Sequence, residues 1–181
     1  MITSTCRPPP ALAIDVAAAV RVYFDGGCQK KLGSSGALAF APDGRLLGAE
    51  ARYHGELAPT NNQAEAQGML LGLELGLAQR WGKAFSGLLV MGDSNLVVAF
   101  MQHCSRPGQQ ALVAVVTEAR HRIKGVRGRQ VCFKDIPREQ NCLADWLCRM
   151  ALKMRRYVPE VASAFPHLGE GDVPPVVLDL Q

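Results

Sequence analysis

The sequence predicts an α/β fold: a mixed five-stranded sheet with helices on both faces, in the order β-β-β-α-β-α-α-β-α. Residues 20 to 54 hold three strand-like runs joined by short polar connections, which implies an antiparallel meander. Residues 61 to 80 carry an apolar stripe of helical period. Two short apolar runs, 86–92 and 130–136, each follow helical sequence, and a strand–helix–strand crossover gives parallel pairing.

The first strand is VRVYFDGG, from Val20 to Gly27. Arg21, Tyr23 and Asp25 alternate with Val20, Val22 and Phe24, the period-two signature of a half-buried strand. Gly26 and Gly27 are expected to end it, leaving Asp25 at its tip, with 28–34 as a polar connection. Residues 35–41 (SGALAFA) read as the second strand, Pro42-Asp43-Gly44 as a turn, and 45–54 as the third strand.

In the first helix, Ala66, Met69, Leu70, Leu73 and Leu77 form an ordinary core stripe. Glu65, Gly68, Gly72 and Gly76 form a second stripe on another face. Glycine within a helix costs about 1 kcal/mol against alanine. Their alignment therefore predicts that another backbone comes close, with Glu65 at the end of the contact.

After the strand at 86–92, a helix is expected from Asp93-Ser94-Asn95 to about Gln102, and another over 109–123. A basic loop (124–129) leads into the last strand, 130–136, and the final helix runs from Asn141 to about Arg156. Pro159, Pro166, Pro174 and Pro175 then argue for an irregular segment. The expected organisation is a tail or linker over 1–19, one folded domain over 20–156, and a proline-containing tail or linker over 157–181.

Composition excludes some classes. At 181 residues and 48% hydrophobic, the chain suits a soluble globular domain rather than disorder. No apolar run approaches the ~18 residues of a membrane helix. The prolines at 8–10 and the single Arg7 make the opening a poor signal peptide. The six cysteines form no CxxC pair and the four histidines no HExxH group, so reduced thiols in an intracellular protein are expected. The formal charge of +4 is uneven: residues 120–156 hold 11 Lys or Arg against three acids. A basic third on an otherwise acidic chain points to a polyanionic partner.

Four carboxylates carry the chemistry. Each has a local explanation: Asp25 opening an Asp-Gly turn, Glu65 in a capping arrangement with Asn62, Asp93 as an N-cap, and Asp145 at a helix N-terminus begun by Asn141. Together they suggest more. Asp25 and Asp93 lie at the carboxyl ends of parallel strands, where sites in open α/β sheets form. Glu65 and Asp145 are expected in first helical turns facing the same crevice. Four carboxylates there raise one another's pKa, a cost that hard divalent cations reverse. Paired ions of that kind activate water and stabilise the leaving oxygen of a phosphodiester.

The stretches VYFDGGC (22–28), TNNQAEAQGMLLGLELG (60–76), VMGDSNLVV (90–98) and IPREQNCLADWLC (136–148) resemble the ribonuclease H type I family, its retroelement and plant-type branch above all. The likeness spans roughly residues 20 to 155. It implies a ribonuclease H-like fold, endonucleolytic cleavage of the RNA strand of RNA/DNA hybrids, and two Mg²⁺ ions, with Mn²⁺ as a substitute. It also implies fusion to, or work alongside, a reverse transcriptase or another nucleic-acid-binding domain. The family's metal ligands fall on Asp25, Glu65, Asp93 and Asp145, and its hybrid contacts on Gly26, Gly27, Cys28, Asn61, Asn62 and Asn95. Asparagine can donate to and accept from a 2′-hydroxyl, which separates RNA from DNA. Arg127, Arg129 and Arg138 are candidates for neutralising phosphates without reading sequence.

The chain departs from the family in three places. No histidine lies between His121 and Asp145, where many members carry one in a flexible loop. Residues 103–111 offer only Arg106 in place of a basic protrusion, and QKKLGSS replaces the proline-containing loop after the first acid. The competing reading is a non-catalytic nucleic-acid-binding module of the same fold within a larger polyprotein.

Overall fold

The structure, a computed structural model, describes residues 14–78, 85–126 and 130–156. Its strands are β1 (Ala19–Gln29), β2 (Leu32–Phe40), β3 (Leu46–Gly55), β4 (Gly87–Gly92) and β5 (Gln130–Asp135). Its helices are α1 (Asn61–Ala78), α2 (Asn95–Met101), α3 (Gln110–Lys124) and α4 (Cys142–Met154). The element order and the mixed sheet are those expected from the sequence. The strands lie in the order β3-β2-β1-β4-β5, with β1–β2 and β2–β3 antiparallel and β1–β4 and β4–β5 parallel. Arg127, Arg129 and the segment from Tyr157 onward lie outside the described residues.

Alternation along β1 divides the core between the two faces. Val20, Val22 and Phe24 join α1, α2 and α3 in one apolar cluster, whereas Tyr23 joins Leu38, Leu89, Met91 and the α4 residues Ala144, Leu147 and Ala151 in the other. Helix α1 is apolar nearly all round because it is covered on both sides, by the sheet and by α3.

Its glycine stripe faces the sheet. A Cβ on Gly68 would collide with the Asp25 carbonyl, one on Gly72 would lie 2.9 Å from Val22 Cγ1, and one on Gly76 2.6 Å from Leu88 Cδ1. The close backbone approach expected from the sequence is therefore present, and it is tightest beside Asp25.

Gly26 and Gly27 do not end β1. The ladder continues through Gly26↔Ser35 and Gly27↔Ser34 to Gln29↔Leu32, so Asp25 lies inside a long strand rather than at its tip. These glycines thin the sheet instead of breaking it. A Cβ on Gly26 would enter the backbone of Ala64 and Glu65 in α1, and one on Gly27 would sit 3.3 Å from Cys148 Sγ in α4. On β2, Gly36 lies opposite Asp25, and a Cβ there would meet Leu147 Cβ at 2.5 Å. Both helices thus come down onto the sheet around Asp25.

Candidate active site

β1 and β4 run parallel to the pair Tyr23↔Met91, so Asp25 and Asp93 follow side by side where the parallel ladder ends. The N-terminal ends of α1 and α4 reach the same end of the sheet. Asp145 lies in the first turn of α4 and Glu65 just past the first turn of α1, and the structure brings both into electrostatic contact with Asp25.

Burial is the largest influence on Asp25, followed by the charge of Asp93. A backbone hydrogen bond from Gly26 opposes them, while Asp145 and Glu65 add smaller upward pushes. The result is a carboxyl whose pKa is raised from 3.8 to about 7. Glu65 is also raised, first by burial and then by Asp93, against a lowering hydrogen bond from Ser94.

Capping differs from the local expectations. Helix α1 begins at Asn61 and is capped by Thr60, whose Oγ1 accepts from Gln63 N–H at 3.3 Å. Glu65 therefore lies past the first turn and is not part of a cap with Asn62. The N-cap of α2 is Ser94, not Asp93, and it makes no side-chain cap bond. Its hydroxyl instead donates to Glu65 Oε2. Spacing alone cannot distinguish these outcomes, because the competing partner lies 29 residues away.

Asn141 is the N-cap residue of α4 and makes no side-chain cap bond either. It is 1% exposed, and its Nδ2 donates to the Phe24 carbonyl at 2.8 Å and to Asp93 Oδ1 at 2.9 Å. Its own carbonyl accepts from Asp145 N–H at 3.1 Å. One buried amide thus joins β1, the end of β4 and the start of α4. Asn141 and Ser94 are the residues that sequence reasoning missed as parts of this site. Their only sequence signal is position: Ser94 follows Asp93, and Asn141 begins the helix that carries Asp145.

Asp145 faces a cation from its own helix. Arg149 Nε lies 3.0 Å from Oδ1 and Arg149 Nη2 lies 2.9 Å from Oδ2, a forked pairing one turn along. Arg138 Nη2 stands 3.6 Å from Oδ1, so this arginine borders the site instead of lying free on the surface. Cys148 lies behind the acids, its thiol pushed up to about 12 by burial first of all, which keeps it protonated and unsuited to metal ligation.

Of the residues expected to meet substrate, Gly26 and Gly27 have their bare faces occupied by α1 and α4. Asn61 Oδ1 accepts from Cys28 N–H at 2.9 Å and so ties the hairpin to the start of α1. Asn62 and Asn95 are exposed near the same end.

Among the described residues, no group of three or more His, Cys, Asp or Glu side chains is already drawn together as a metal cage. The donor chemistry nonetheless suits a hard divalent cation. The acids are oxygen donors, they raise the Asp25 pKa together with burial, and they sit at a partly open edge that leaves room for water ligands.

Residues 23–151 match the reverse transcriptase-like family. The chain belongs to that family. Solved structures similar to this reverse transcriptase-like chain include ribonucleases H. LC11-RNase H1, isolated from compost by a metagenomic approach, is 27% identical, with 76% of this chain and 98% of that one covered and a TM-score of 0.67. RNase H1 from the archaeon Halobacterium salinarum NRC-1 is 25% identical over 75% of this chain and 98% of its own, with a TM-score of 0.66. The LC11 enzyme has also been crystallised in complex with an RNA/DNA hybrid, and that structure matches at 25% identity over 75% and 98%, with a TM-score of 0.66. The architecture is the ribonuclease H fold. A search of curated proteins finds no match to the chain. Among the described residues, no helix is long and apolar enough to cross a membrane.

Proposed function

We propose that the chain is a ribonuclease H, a metal-dependent endonuclease that hydrolyses the RNA strand of RNA/DNA hybrids. The observation that carries this reading is the convergence of Asp25, Asp93, Asp145 and Glu65 at one end of the sheet, where burial first and then the neighbouring charges raise Asp25 to about 7. A binding module has no use for such a cluster, and it sits where the fold brings two parallel strands to an end.

Asp25, Glu65, Asp93 and Asp145 would hold two Mg²⁺ ions, or Mn²⁺ in their place. When bound, such ions supply an activated water and stabilise the departing 3′-oxygen. The chain's own contribution is placement. Asn141 fixes the Asp93 carboxylate against β1, and Ser94 orients Glu65. Arg149 and Arg138 hold Asp145 at the rim, from which either guanidinium can turn toward a phosphate. Exposed Asn62 and Asn95 provide amides for the 2′-hydroxyls that mark RNA.

A second reading is favoured by that same pairing. If Arg149 remains on Asp145, the fourth ligand is unavailable and the fold binds hybrid without cutting it. Incubation of a labelled RNA/DNA hybrid with Mg²⁺, with Mn²⁺ and with chelator separates the two. The nuclease reading expects metal-dependent cutting of the RNA strand alone, abolished by Asp93→Asn. Intact hybrid under every metal, bound by folded protein, establishes the binding module.

A further inference from the structure

The most strained turn among the described residues lies at the tip of the β1–β2 hairpin. The ladder stays in register to Gln29↔Leu32, so Lys30 and Lys31 alone reverse the chain. Both adopt the left-handed conformation, with φ of 52° and 64°. A two-residue turn between right-twisted strands demands this geometry, and Asn-Gly or Gly-Gly satisfy it best. A lysine Cβ is penalised at either position, and lysine has no short polar group to hydrogen-bond locally in return. Both side chains are exposed, and neither has a carboxylate partner among the described residues.

The strained pair projects from the end of the sheet that carries the acids. β1 leaves the parallel ladder after Tyr23, passes Asp25 and runs on to Lys30. At ~3.3 Å per residue the lysines stand about 16 Å beyond Asp25, close to five nucleotide steps along a strand at ~3.4 Å each. The hairpin is also braced. Cys28 N–H is held by Asn61 Oδ1 at 2.9 Å, and a Cβ on Gly33 would lie 2.7 Å from Ala58 Cβ. Two exposed cations on a braced arm thus stand several phosphate steps from the acids.

Resting on the nuclease reading, we infer that Lys30 and Lys31 clamp the phosphate backbone of the hybrid away from the scissile bond, a role that outweighs their poor fit to the turn. It gives the chain a basic grip where residues 103–111 offer only Arg106.

Relaxing the turn should therefore stabilise the protein while weakening its hold on substrate. The test compares K30N/K31G, which removes both strain and charge, with K30Q/K31Q, which removes charge alone. Melting temperature is measured, together with binding of a labelled RNA/DNA hybrid by anisotropy across a salt series with Ca²⁺ in place of Mg²⁺. K30N/K31G is expected to melt about 2–6 °C higher. It should bind roughly tenfold more weakly at 0.1 M salt, with a log–log salt slope shallower by about 2. K30Q/K31Q should show the same loss of binding and slope without the gain in melting temperature. Unchanged affinity and slope in both folded variants overturn the clamp and leave the nuclease reading standing. Folded wild-type protein that binds no hybrid at any salt overturns the nuclease reading, and the clamp with it.

Discussion

Replacing Asp25 by Asn should stabilise the metal-free protein above neutral pH and leave it unchanged in acid. Asn is the uncharged isostere of a protonated carboxyl. In the folded chain, burial and then Asp93 raise the Asp25 pKa from 3.8 to about 7. Below pH ~4 both folded and unfolded chains carry the proton, so the residue adds no pH dependence. Between about pH 4 and 7 the unfolded chain releases that proton while the folded chain keeps it, and stability falls as pH rises. A difference of that size corresponds to as much as about 4 kcal/mol by pH 8. Urea unfolding of wild type and Asp25→Asn in chelator, from about pH 4 to 8, measures it directly. The stability difference between the two should grow from near zero to a few kcal/mol in favour of the variant. Added Mg²⁺ should stabilise wild type at pH 8 far more than the variant, because binding rewards the ionised carboxylate. A pH-independent difference, or a variant less stable than wild type at pH 8, would refute the electrostatic reasoning.

Two further substitutions test the scaffold of the site. Gly68→Ala should cost about 3 kcal/mol or more by urea unfolding, despite a helix-propensity gain of about 1 kcal/mol, because the new methyl meets the Asp25 carbonyl and cannot be relieved by a rotamer change. Asn141→Ala leaves the Phe24 carbonyl and Asp93 Oδ1 without their donor, which should cost about 2–4 kcal/mol and raise the Mg²⁺ concentration needed for half-maximal cleavage. Unchanged metal dependence in a destabilised Asn141→Ala would make that residue a structural tie only.

Much of the architecture was legible because it depends on period and order. The alternation in Val20 to Asp25, the apolar runs 86–92 and 130–136, and the intervening helical stripes imply the observed sheet without knowledge of any contact. The glycine stripe of α1 was legible for a different reason: three glycines on one helical face are unfavourable unless something presses there. The same logic misled at Gly26-Gly27. Glycine marks both strand ends and close crossings, and the choice depends on α1 and α4, which come from distant sequence. Side-chain partners were less accessible still. Asn62, Asp93 and Asn141 each stand where a cap belongs, yet Thr60 caps α1, and Ser94 and Asn141 direct their polar atoms into the site instead.

Those redirected atoms explain how a chain can fold around four acids. Each carboxylate is relieved by a different device. Asp25 has a pKa near neutrality and can hold a proton, Glu65 accepts from Ser94, Asp93 accepts from Asn141, and Asp145 is gripped by Arg149. The devices differ in how readily they give way. The proton on Asp25 and the exposed guanidinium of Arg149 are both exchangeable, whereas Asn141 is buried and shared with the β1 backbone. An incoming divalent cation would therefore displace a proton from Asp25 and an arginine from Asp145, while Asp93 would keep its hydrogen bond to buried Asn141. Under the proposed metal-dependent reading, that division would make Asp93 the fixed reference of the site and would put the pH dependence of metal binding at Asp25 and much of its salt dependence at Asp145.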